Sequence, residues 1–331
     1  MTCNNNHSNA VVCFGEALID FISQSQIQSD GLSIAQFAQY PGGAPANAAV
    51  AVAKLGGKAR FAGQVGQDSF GYFLQQALQH YGVCTEHLAL HPAAKTALAF
   101  VAHDSQGERS FSFYREQSAD LLYSSAQIQP ALFNGASLLH FCSNTLVEPG
   151  IAAVTAELLQ QARNKGLWLS FDVNLRHNLW PAGHAGKEVV RGFVNKAQLL
   201  KFSYDELAYL SDNPEPYIQQ LLAAEAHLVV ITHDDKPVRY YNRLTHGSLA
   251  VPQVQAVDTT AGGDAFIGGL LYQLSLQPAL AAFCRNTAAV EAALAFAARC
   301  GAHAVTRHGA FPALPVLADV AGAIAVEGAQ L

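Results

Sequence analysis

Residues 257–266 read Val257-Asp258-Thr259-Thr260-Ala261-Gly262-Gly263-Asp264-Ala265-Phe266, and an apolar run follows to about residue 276. Small residues let the backbone turn tightly and bring its N–H groups outward. A helix that starts here places its unpaired first-turn donors and the positive end of its dipole at the Gly-rich turn, which makes an anion site. Asp264 falls in that first turn. A carboxylate beside a phosphate cradle suits a general base that takes a proton from an attacking hydroxyl. An ordinary helix start has the same local pattern, so the stretch must be weighed with its surroundings.

Upstream, strands and helices alternate. Strands are expected at 138–142, 167–172, 198–202 and 228–232. Helices are expected at 149–165, 185–196, 204–210, 214–225, 262–276 and 286–300, and a hairpin joins 238–241 to 247–251. This order implies an α/β fold, a parallel sheet covered on both faces. Nearer the N-terminus, a strand at 11–14, a helix at 46–55 closed by Gly56-Gly57, a strand at 59–65 and a helix at 69–81 with Ser69 as N-cap are expected. Segments 96–103 and 108–114 flank Asp104-Ser105-Gln106-Gly107 and read as a hairpin. That hairpin interrupts the alternation and points to a separate small sheet.

The chain has 331 residues, of which 13% are charged and 50% hydrophobic, with a net charge of −6. An average soluble domain is about 25% charged. This composition excludes intrinsic disorder. Nineteen scattered Lys and Arg residues argue against nucleic acid as a partner. The polar start MTCNNNHSNA has neither a basic nor an apolar leader region, so a cytoplasmic location is expected. Residues 265–284 carry no charge and are long enough to span a bilayer, but Gln273, Ser275, Gln277 and Pro278 make a membrane partner unexpected. The six cysteines show no C-x-x-C spacing and read as reduced thiols. No P-loop, no dinucleotide G-x-G-x-x-G and no G-x-S-x-G occurs.

Three other stretches carry chemistry. In Pro41-Gly42-Gly43-Ala44-Pro45-Ala46-Asn47, adjacent glycines allow close backbone approach, and Asn47 offers both donor and acceptor. In Gly15-Glu16-Ala17-Leu18-Ile19-Asp20, Asp20 follows an apolar strand and suits sugar hydroxyls. Phe171-Asp172-Val173-Asn174-Leu175-Arg176 leaves the carboxyl end of a strand, where open α/β sheets bind ligands, and Arg176 can hold phosphate oxygens.

Taken together and in this order, these stretches resemble the ribokinase-like (PfkB) family of sugar kinases. GGAPANAAVAVAKLG at 42–56 looks like its N-terminal signature and DTTAGGDAFIGG at 258–269 like its C-terminal one. GEALID, KTALAFV, FSFYR, FDVNLRHNLW and AVTRHGAF resemble the fructokinase branch. The resemblance covers about residues 11–315. It implies one α/β/α kinase domain with a mostly parallel sheet and a small β-sheet lid. Gly15–Asp20 would belong to the core, and segments near 30–40 and 96–114 to the lid. Residues 1–10 would be a polar tail and 316–331 a C-terminal helix. The implied reaction is ATP plus D-fructose to ADP plus D-fructose 6-phosphate, with Mg2+ and, more loosely, K+.

By resemblance, Asp264 is the catalytic base, and the N–H groups of Ala261, Gly262, Gly263 and Asp264 form the anion hole. Asp20, Gly42, Gly43, Asn47, Arg115 and Arg176 match contacts to sugar or transferred phosphate. Asn174, Ser203, Thr232, Gly262 and Gly309 fall on the nucleotide side. Glu206 matches a residue that organises Mg2+ indirectly. Asp258 and Thr260, with carbonyls around Ala304, Arg307, Gly309 and Ala313, match a monovalent-cation loop. The chain departs from the family pattern at Ser203, where Asn is usual, at Ala298, and at Thr232-His233-Asp234-Asp235-Lys236-Pro237, which lacks two glycines. A sibling kinase for ribose, 2-keto-3-deoxygluconate or a nucleoside, and a sugar-binding homologue without turnover, share these motifs. A homodimer through the lid is a further expectation from the family.

Overall fold

Every residue of β1 (Ala10–Phe14) is buried, and its side chains alternate between two cores, Val11 and Cys13 on one side and Val12 and Phe14 on the other. A strand covered on both faces has this pattern. The computed structural model describes residues 9–103 and 109–321. After β1 come β2 (Leu18–Ser29), β3 (Leu32–Gly42), α1 (Ala44–Lys54), β4 (Ala59–Gly66), α2 (Ser69–His80) and β5 (Cys84–His91). β6 (Leu98–His103) and β7 (Arg109–Tyr114) form the expected antiparallel hairpin. The alternation then runs β8 (Ala136–Cys142), α3 (Pro149–Asn164), β9 (Trp168–Asp172), α4 (Lys187–Val194), β10 (Leu199–Ser203), α5 (Tyr204–Leu210), α6 (Pro214–Ala223) and β11 (Leu228–Thr232). The chain ends with β12 (Val238–Asn242), β13 (His246–Leu249), α7 (Gly262–Ser275), α8 (Leu280–Phe283), α9 (Thr287–Val305) and α10 (Leu317–Ala321).

Nine strands form the large sheet in the order β13-β12-β11-β10-β9-β8-β1-β4-β5, parallel except where β12 and β13 turn back. Helices α1, α7 and α9 fill one face and α3 to α6 the other. The core is therefore a three-layer α/β/α arrangement, as the resemblance implied. A second sheet has the order β3-β2-β6-β7. Close helix packing rests on Gly269, where a Cβ would lie 2.8 Å from Cys300 Sγ on α9, and on Gly268, where it would collide with Ala51 of α1.

Several expectations need correction. Asp20 lies on β2 of the small sheet, opposite Tyr40 and Ala99, and not in the core. The chain leaves the large sheet at Gly15 and enters the small one by Leu18. Asp68, not Ser69, caps α2, accepting from Gly71 N–H at 2.9 Å. Helix α9 runs on to Val305 through Gly301, where a Cβ would lie 3.1 Å from the Gly262 carbonyl. Residues 265–284 are broken between α7 and α8. Among the described residues, α9 alone is long and apolar enough to cross a membrane, and it packs into the core beside α7. Cys13, Cys142, Cys284 and Cys300 are free and buried. Residues 1–8 of the polar tail, the hairpin turn at 104–108 and 322–331 of the expected last helix lie outside the described residues.

Candidate active site

The carboxyl ends of β1, β8 and β9 meet the inner ends of β2 and β3 and the first turns of α1 and α7 around a cleft of roughly 360 Å3. No side chain caps α7. Gly262 N–H bonds the Thr259 carbonyl at 3.3 Å and Ala265 N–H the Ala261 carbonyl at 2.8 Å. The first-turn N–H groups of Gly263 and Asp264 are thus left for a ligand. Gly262 has to be small, since a Cβ would come within 2.6 Å of Val305 Cγ1.

Asn47 stands in the first turn of α1, which Gly43 starts at a φ of 103°. A side chain at Gly43 would strain that backbone and strike the Glu16 carbonyl at 2.5 Å. Asn47 Nδ2 donates to Asp264 Oδ2 at 2.7 Å across 217 residues of sequence. Asp264 is 7% exposed, and burial pushes its pKa up to about 7. Asp172 adds to that rise, while the Asn47 hydrogen bond, Arg176 and Lys201 oppose it. Burial and then the Asp264 charge push Asp20 up to about 7 as well. Gly42 makes room for Asp20, whose carboxylate a Cβ there would strike.

Behind these groups lies a polar network. Glu16 Oε1 accepts from Ala44 N–H at 3.2 Å and Asn144 Nδ2 at 2.8 Å. Arg115 donates through Nε to Asp120 at 2.7 Å and through Nη2 to the Asn144 carbonyl at 3.0 Å. Burial acts against the Arg115 charge, but Asp120 and Glu16 outweigh it and hold its pKa above the ordinary arginine value. Burial raises that of Glu16. Four buried atoms here have no partner among the described residues: Glu16 Oε2, Asn47 Oδ1, Arg115 Nη1 and Asn144 Oδ1. Buried polar groups are normally satisfied, so this cluster calls for ligand hydroxyls.

The cleft brings together Asp20, Gly43, Asn47, Arg115, Asn174, Arg176, Thr260 and Asp264. Asn174 holds a left-handed φ of 37° at the end of β9, where Ser143 Oγ donates to its carbonyl at 3.2 Å. Ser203 and Thr232 pair in register at the ends of β10 and β11, outside the cleft lining. Ser203 caps α5 in a box with Glu206. Glu206 Oε2 accepts from Ser203 N–H at 2.7 Å and Oε1 from Leu175 N–H at 2.8 Å. Its ordered role is to tie β9 to α5. Asp234 sits at a φ of 44° in the turn after β11, and Lys236 pairs with Asp235 at 3.5 Å in solvent.

Of the residues expected in a cation loop, Asp258 ties Thr260 to Gly309. Asp258 Oδ1 accepts from Thr260 N–H at 2.9 Å and its Oδ2 from Gly309 N–H at 3.1 Å. The Ala304 carbonyl accepts from Arg307 N–H at 3.1 Å. Ala313 lies in the turn whose neighbouring carbonyls, at Phe311, Pro312 and Leu314, hold the Lys54 ammonium. Among the described residues no three His, Cys, Asp or Glu side chains form a metal cage. The sequence reading passed over Glu16, Asn144, Asn178 and Thr259, which also line the cleft. Glu16 shares a hexapeptide with Asp20 and could have been found there. Asn144 follows β8 in a segment without a recognisable pattern.

Residues 8–317 match the family described as pfkB family carbohydrate kinase. "Probable fructokinase-6, chloroplastic" of Arabidopsis thaliana is 38% identical over 312 residues, 92% of this chain and 79% of that relative. A crystal structure of fructokinase with bound ATP from Xylella fastidiosa superposes with a TM-score of 0.89 at 42% identity, covering 95% of this chain and 97% of that one. A double mutant of the fructokinase from Vibrio cholerae O395, in fructose-, ADP- and potassium-bound form, gives 0.82 at 33% identity over 94% and 97%. On the family match along nearly its whole length, the chain belongs to the pfkB family of carbohydrate kinases.

Proposed function

We propose that the protein is an ATP-dependent fructokinase that phosphorylates the 6-hydroxyl of D-fructose, with Asp264 as general base. Relatives at 37–38% identity over most of the chain carry the fructokinase name. The observation that carries the site assignment is the group of four unpartnered polar atoms beside the Asn47–Asp264 hydrogen bond, a polyol pocket next to a base of pKa about 7. Such a pKa suits proton transfer near neutral pH.

In this reading Asp20, Glu16, Asn144 and Arg115 orient the sugar, and Asn47 orients the base. Asp264 takes the hydroxyl proton as that oxygen forms a bond to the γ-phosphorus. The bond from phosphorus to the ADP oxygen breaks, and its electron pair leaves with ADP. First-turn N–H groups of α7 hold the transferring oxygens, and Arg176 is the nearby cation. Mg2+, when bound with the nucleotide, neutralises phosphate charge. Glu206, whose two oxygens already accept from the backbone N–H groups of Leu175 and Ser203, would hold it only indirectly. A K+ ion fits beside Asp258 in the tied loop that includes Thr260 and Gly309.

The small sheet is read as a lid, since Asp20 and Arg115 reach the cleft from β2 and from beyond β7. It is also read as the surface on which two copies pair. Edge strand β3 exposes Leu32, Ile34 and Phe37, and a two-stranded ribbon is marginal alone in water. One kinase domain over 11–315 and a cytoplasmic location complete the reading. The buried free thiols support that location. A coupled ADP-release assay over fructose, glucose, ribose and ketodeoxy acids, with Mg2+ and with or without K+, tests the whole. Fructose-dependent ADP release should dominate. Turnover preferring another sugar, or none, would overturn it.

A further inference from the structure

On the sheet face beneath the first turn of α7 lies a row of polar side chains where a core is ordinarily apolar. Cys142 on β8, Asp172 on β9 and Lys201 on β10 stand side by side in register. One pleat below, His140 and Ser170 are also side by side, with Nδ1 and Oγ 3.0 Å apart. Lys201 Nζ donates to both oxygens of Asp172, at 2.9 and 2.8 Å, and the two side chains are 7% and 1% exposed. A Cβ on Gly263 would lie 3.5 Å from that ammonium, so the charge sits directly under the backbone cradle.

A buried ion pair adds little to stability, and a well-packed apolar pair of similar volume often serves as well. The placement of this one needs another reason. Burial acts against the Lys201 charge, but Asp172, Glu206 and Asp264 hold it protonated. Burial first and then Lys201 keep His140 neutral, pushed down to about 3, so the layer below adds no second positive charge.

We propose that Lys201, clamped by Asp172, is a positioning residue for phosphoryl transfer: it fixes a positive charge behind the anion hole at Gly263 and Asp264 and braces that turn of α7. A preorganised charge aimed where negative charge gathers lowers the barrier without reorganisation. The inference rests on the kinase reading above. It adds a group that the substrate does not touch.

The charges around Asp264 come from every side: Asp20 on β2, Asp172 and Arg176 at and after β9, and Lys201 on β10, with Asn47 of α1 as hydrogen-bond donor. Lys201 draws the Asp264 pKa down and Asp172 lifts it. Neutralising the two partners should therefore move the acid limb of kcat/KM in opposite directions. The test compares Lys201→Met, Lys201→Arg, Asp172→Asn and the paired Lys201→Met/Asp172→Leu, all with wild type in the fructose assay. Lys201→Met should lower kcat by about 10²-fold, with fructose KM changed less than about threefold. Its acid limb should move to higher pH, that of Asp172→Asn should move lower, and Lys201→Arg should recover part of kcat. The paired variant removes both charges together and guards against a misfolded single variant. Fructose binding by calorimetry, without nucleotide, certifies its sugar site. Wild-type kcat in a paired variant that binds fructose, or an unmoved acid limb in a folded Lys201→Met, would overturn the inference. An inactive wild type would instead overturn the kinase reading.

Discussion

Asp264 and Asp20 occupy one buried corner; burial raises the proton affinity of both, and the Asp264 charge raises that of Asp20 further. Their ordinary value of 3.8 becomes about 7. If Asp264 is the base, kcat/KM should fall as pH drops below about 7, with wild-type stability retained. Asp264→Asn should lower kcat by roughly 10²–10⁴-fold in a folded protein, checked by circular dichroism. Asn47→Ala removes a donor that favours the ionised base, so its acid limb should shift upward in a pH–rate profile. The stability sign follows from the same shifts. A raised folded-state pKa stabilises fully below the ordinary carboxylate range, and that contribution is lost as pH rises through about 7. The unliganded protein should therefore melt at a lower temperature at pH 8 than at pH 6, and Asp20→Asn should flatten the difference.

At the scale of elements, the two signatures act through helix starts that cannot be decorated. Gly43→Ala forces a Cβ against the Glu16 carbonyl at a left-handed φ and should cost about 1–3 kcal/mol in urea unfolding. Gly269→Val overpacks the α7–α9 contact and should cost about as much, roughly 1–3 kcal/mol. These element starts were legible because Gly, Pro and Asn at fixed offsets have local meanings. Elements β5 and α8 were not. β5 mixes apolar and polar residues on a half-buried edge strand, and α8 is one short turn. The β2–β3 ribbon was missed as a ribbon for a similar reason. Its outer half is exposed on both faces, so its sequence carries no burial alternation.

For the whole molecule, the second sheet matters most. It carries Asp20 into the cleft and leaves Ile27, Leu32, Ile34 and Phe37 in solvent, with Asp30 the single charge between Phe21 and Tyr40. Two ribbons that carry one charge each can meet with little like-charge repulsion. If copies pair there, wild type should sediment as a dimer and Ile34→Asp/Phe37→Asp as a monomer, with a raised fructose KM if the lid is braced by its partner. A wild-type monomer would remove the pairing and leave the cleft as described.

Sequence alone was enough for the order of most strands and helices, the Gly-rich start of α7 and the choice of Asp264, Asn47, Asp20 and Arg176, which the cleft brings together. Each depends on residue type and short spacing, which local sterics and backbone donors translate directly into geometry. Only the tertiary structure joined Asn47 to Asp264, moved Asp20 onto the second sheet, recruited Glu16 and Asn144, and set Lys201 beneath Gly263. Those placements depend on strand register and on the distance between helices packed across the sheet. They are set by the shared burial of residues far apart in the chain, and no short window of sequence contains that information.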